Sequence, residues 1–74
     1  MRNLVITAET WTGQKLYWTG FGFGDNPKED VNHRDFGRAI EHADRNIKSL
    51  NLVEIDHFDG SAEILKSEEL IGNA

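Results

Sequence analysis

The chemistry-bearing side chains of this chain are three histidines, a spaced set of arginines, a glycine triplet and a late run of carboxylates. Of His33, His42 and His57, the last could join Asp56 and Asp59 as metal donors, but a metal centre draws three or four ligands together. The histidines do not recur at i, i+4, and no His-Glu-x-x-His is present. No metal site is expected. Gly20-x-Gly22-x-Gly24 has the spelling of a phosphate loop, yet a dinucleotide fingerprint sits between a strand and a helix N-terminus. Here the glycines continue a strand-like run and lead into Asp25-Asn26-Pro27, with no Walker lysine and hydroxyl behind them. No cofactor is expected. Ligand pockets typically occupy ~300 Å3 or more, and no serine, lysine or carboxylate stands in a context that activates it as nucleophile or base. The expectation is a non-enzymatic protein.

Charge is unevenly placed. Residues 1–50 carry seven acidic and seven basic groups, whereas residues 51–74 carry six acidic groups against Lys66, so the whole net charge of −5 lies in the last third. Such a balance disfavours phosphate backbones and suits a basic partner. Arg34, Arg38 and Arg45 would line up on one side of a helix at ~100° per residue. This ridge, with Glu41 set to pair along it, is the only feature that favours nucleic acid, which is disfavoured as a direct ligand.

These groups must be held by secondary structure. Asn3 to Trp11 alternates as a strand, Thr12-Gly13 reads as a tight connection, and Gln14 to Phe23 reads as its hairpin partner. In that second run Tyr17, Phe21 and Phe23 fall on one face and Leu16 and Trp18 on the other. The large aromatics Phe21 and Phe23 are expected to face the core. Asp25 to Asp30 is a polar loop around Pro27. Asn32 caps a helix with Asp35 three residues on, and Phe36, Ala39, Ile40, Ala43, Ile47 and Leu50 form its apolar stripe, with Asn51 ending it. Leu52 to Phe58, Asp59-Gly60 and Ser61 to Lys66 read as a second hairpin, followed by a helical turn or tail at residues 67–72.

The fold class expected is α+β: two β-hairpins flanking one amphipathic helix (ββαββ), an antiparallel sheet with the helix on one face, and one domain over residues 1–74. There is no cysteine to staple it. No apolar run approaches the ~20 residues of a membrane span, and Met1–Ile6 turns polar at Thr7 without a signal-peptide core. A cytoplasmic protein is expected.

One helix can cover only one face of a sheet, so aromatic surface is left for a partner. The contact surface expected combines Trp11, Tyr17 and Trp18 with Glu54 and Asp56 and the acidic loop residues Asp25, Glu29 and Asp30. By size, charge and layout alone, the chain resembles the small acidic inhibitors of phages and mobile elements, including anti-CRISPR proteins. That resemblance implies a protein target with a basic surface. The alternatives are a homodimeric module paired through strand edges or the glycine strip, and a nucleic-acid-associated regulator using the arginine ridge.

Overall fold

A computed structural model of the chain describes residues 2–70. The elements are β1 (Arg2–Thr10), β2 (Lys15–Trp18), β3 (Phe23–Gly24), α1 (His33–His42), β4 (Ile47–Asp56) and β5 (Ala62–Glu69). The fold is α+β, with one antiparallel sheet in the spatial order β3-β2-β1-β4-β5. A third strand before the helix corrects the expected ββαββ order to βββαββ.

That strand arises from a turn inside the run expected to stay extended from Gln14 to Phe23. The Thr19 N–H donates to the Gly22 carbonyl at 2.8 Å, and the Thr19 hydroxyl donates to the same oxygen at 3.1 Å. Gly20 takes φ +104°, a conformation costly for any residue with a Cβ. The chain therefore folds back and sets Phe23 opposite Trp18. The glycines make a turn and a short outer strand rather than a flat strip. In the first hairpin, the Gly13 N–H donates to Thr10 at 3.0 Å and the Thr10 N–H to Gln14 at 2.9 Å. Trp11 thus leaves the strand for a three-residue loop closed by Gly13 at φ +88°.

The capping box at Asn32 forms as its residue types dictate. The Asn32 side chain accepts from the Asp35 N–H at 2.9 Å, and the Asp35 carboxylate accepts from the Asn32 N–H at 3.1 Å. The helix ends far earlier than Asn51. Ala43 is already extended, and a β-turn follows in which the Ile47 N–H reaches the Asp44 carbonyl at 3.2 Å and the Asn46 N–H reaches Asp44 Oδ1 at 2.9 Å.

Ile47 and Leu50 belong to β4, where a bulge explains their helix-like spacing. Glu9 pairs with Ser49 and Thr10 with Ile47, leaving Lys48 as the extra residue. Side-chain direction has period two along a strand, so one inserted residue brings positions three apart to the same face. Both are buried in the core. Asn51 pairs with Thr7 in mid-strand instead of ending a helix.

The core lies between α1 and one face of the sheet. Phe36 and Ala39 of the helix meet Ile6, Ala8, Trp18, Leu50 and Leu52, with Val31 and Leu70 closing the edges. Burying each large apolar side chain contributes about 1.5–3 kcal/mol. Trp18 is 0% exposed, whereas Phe21 at the β2–β3 turn is 94% exposed. Of the aromatics expected inward, only Phe23 packs against the core. Its ring meets Trp18 edge-on at 5.4 Å. The second hairpin forms around Gly60, at φ +74°, and β5 runs on through Ser67–Glu69, which replaces the expected helical turn there. Ile71 and Gly72 of that expectation lie outside the described residues.

Candidate functional site

Alternation along the sheet decides which side chains share a surface. Leu4, Ile6 and Ala8 turn toward the helix, so Asn3, Val5, Thr7 and Glu9 turn away from it. Across the ladder, Thr7 is opposite Tyr17 and Val5 opposite Val53. Val53 is opposite Ile64, and Ile55 opposite Ala62. No helix among the described residues covers this face. It forms a cleft of about 440 Å3 whose floor is Val5 and Val53 and whose walls include Tyr17, Ile55 and Ile64. Lys15 and Glu9 border it at one end, with the Lys15 ammonium 5.8 Å from the centre of the Tyr17 ring.

A second cleft of about 420 Å3 lies on the helix side, between the first hairpin and the end of α1. Trp11, Phe23, His42 and Asp44 line it. The His42 ring is fixed there twice, tilted on Trp18 at 5.4 Å between centres and bonded through Nδ1 to the Arg38 carbonyl at 2.9 Å. Trp18 Nε1 is buried without a hydrogen-bond partner, a donor whose desolvation is not recovered.

The residues expected to form one contact surface do not come together. Trp11 is exposed in the β1–β2 loop, with the Lys48 ammonium 5.9 Å from its ring centre. Tyr17 is half-buried on the open face. Trp18 is its neighbour in sequence and so points to the opposite face, into the core; it is withdrawn from any contact surface. Glu54 is half-buried on the helix side, opposite Leu4 and Glu63. Asp56 is opposite Arg2, at the far end of β1 from Trp11. The nine residues of β1 separate the two by roughly 30 Å at ~3.3 Å per residue. Asp25, Glu29 and Asp30 are exposed in the loop before α1. The Asp30 backbone is held at φ 55° by its N–H to Asn3 Oδ1 at 2.7 Å.

The arginine ridge is also broken. Arg34 and Arg38 are exposed on α1, but Arg45 lies beyond the helix in the turn, so Glu41 has no i, i+4 partner there. One carboxylate departs clearly from ordinary behaviour. Burial alone would raise the Asp35 pKa, but the Asn32 N–H, the Lys28 ammonium at 3.2 Å and the nearby charge of Arg38 outweigh it and hold the carboxyl below its usual range. This is a helix cap bonded to its loop. Among the described residues no group of three His, Asp or Glu side chains could hold a metal ion, and no helix is long and apolar enough to cross a membrane.

The open-face residues Val5, Val53, Ile55 and Ile64 are absent from the sequence-derived site. Their signal was present: β1 and β4 are apolar at both parities, with Val5 beside Leu4 and Ile6, and Val53 beside Leu52. A strand apolar on both sides needs two covers, and the described residues hold one helix. Comparison with protein-family models, curated proteins and solved structures returns no match.

Proposed function

We propose that the chain is a non-enzymatic protein-binding module whose contact surface is the uncovered sheet face. The observation that carries this reading is the cleft walled by the accessible Tyr17, Ile55 and Ile64 over the buried Val5 and Val53, on the side without a helix. An apolar centre with a charged rim is how compact interfaces gain affinity and orientation. The charged groups bordering this face are Glu9 and Lys15 with Glu69, opposite Ser49; two carboxylates against one ammonium make the rim weakly acidic. It favours a partner that presents basic groups, and occupation of such a surface would inhibit whatever the partner binds there.

The test is affinity capture from extract of the source cells with three baits: the native chain, Tyr17→Glu and Phe21→Ser. Tyr17 lines the face and Phe21 does not. A protein held by the native chain and by Phe21→Ser, released by Tyr17→Glu and weakened by added salt is the expected result. Retention of every captured protein by Tyr17→Glu sinks the reading.

A further inference from the structure

The sheet has two very different edges. At one side β3 spans two residues; at the other β5 spans eight, all exposed. The outer side of β5 has no neighbouring strand among the described residues. An edge of this length is a template for another strand, and its centre carries Ile64 and Leu65, 61% and 46% exposed.

We infer that β5 pairs antiparallel with β5 of a second copy, about a two-fold axis between Ile64 and Leu65, joining the two sheets into one. A bulge sets this register. Leu52 pairs with Lys66 and Val53 with Ile64, so Leu65 is the extra residue. Glu63 and Lys66 therefore share the helix side of β5, although three residues apart. Lys66 lies there, 5.6 Å from the centre of the Phe36 ring, and Glu63 lies opposite Glu54. A two-fold axis normal to the sheet keeps each face on its own side. Placed at the bulge, it sets Glu63 of each copy opposite Lys66 of the other and Ala62 opposite Ser67.

The Ile64–Leu65 pairs meet at the axis. Two opposite-charge pairs form, and the carboxylate row of Glu54 and Glu63 is extended by an ammonium. Moving the axis one residue toward the C-terminus, between Leu65 and Lys66, sets Glu63 against Glu68; an axis at Ser67 leaves Ile64 without a strand partner. The charges and the bulge that deter arbitrary strands thus admit one register of the chain with itself, an isologous contact. This inference uses an edge, not the open face, and does not rest on the partner proposed for that face.

Sedimentation velocity from micromolar to millimolar concentration tests it with charge reversals at exposed positions, whose folding is checked by circular dichroism. The native chain is expected to dimerise. Glu63→Lys alone and Lys66→Glu alone should each weaken the dimer by roughly tenfold or more, since each sets like charges opposite twice. An equimolar mixture of the two variants should recover a heterodimer, because every cross-strand pair is then of opposite sign. Tyr17→Glu should dimerise as the native chain does. A native chain that stays monomeric at millimolar concentration overturns the inference. So do single reversals without effect, a mixture that does not associate, or dissociation by Glu68→Lys alone, which would place the axis at Ser67.

Discussion

Asp35 shows how one residue ties the start of a helix to the loop before it. Its carboxylate closes the capping box with Asn32 and accepts from Lys28 at 3.2 Å across the loop. Because its folded-state pKa lies below the ordinary value, the stability it contributes is fully present above the unfolded pKa of about 3.9. It is lost as pH falls through the lowered folded value. Acid titration of unfolding should therefore show less acid sensitivity in Asp35→Asn than in the native chain. Asn32→Ala should cost about 1 kcal/mol in denaturant unfolding, since the N-terminal N–H of Asp35 loses its acceptor. Trp18 and Phe21 form a contrasting pair. Trp18→Ala removes a side chain with no exposed surface and should cost about 3–5 kcal/mol, enough to unfold many domains of this size. Phe21→Ser should change thermal stability by less than ~0.5 kcal/mol, because its ring lies in solvent.

The elements depart from their sequence reading at the Thr19–Gly22 turn, the Asp44–Ile47 turn and the bulge at Lys48. Ile47 and Leu50 sit three apart and read as a helix face; the extra residue Lys48 is what makes that spacing compatible with a strand. The competing signal was Asp44-Arg45-Asn46, three turn-forming or cap-forming positions inside the supposed helix. Arg45 occupies the second position of a turn closed from Ile47 to Asp44, where proline is favoured. Arg45→Pro should accordingly fold with a stability loss below ~1 kcal/mol in denaturant unfolding. A helix running through this point would lose ~3 kcal/mol. The N-terminus of α1, both hairpin glycines and the polar loop were legible because each is set by local chemistry. The end of α1 was not, since pairing of β4 with β1 and β5 outweighs the helical preference of residues 43–50.

For the whole molecule, the central question is what covers a sheet that has apolar side chains on both faces. β1 and β4 each have neighbours on both sides and the longest registers. Hydrogen exchange should therefore be slowest at their central amides and fast throughout β3, which is paired over two residues. Binding to the open face is expected to protect Thr7, Tyr17 and Asn51, while association through β5 protects residues 62–67. Exchange with and without a captured partner separates the two surfaces in one measurement.

The sequence by itself determined the α+β class, the capped start of the helix, the polar loops and the acidic last third, because residue types act there over a few neighbouring positions. It also implied that one helix leaves one sheet face open. Only the tertiary structure decided which face that is. Trp18 turned inward because the Thr19–Gly22 turn returns Phe23 beside it and His42 closes over it. That packing placed Tyr17 on the face away from the helix, beside the buried Val5 and Val53, and separated Trp11 from Asp56 by the length of a strand. Which side chains share a surface depends on register and bulges, and these are set by pairing between strands far apart in the chain.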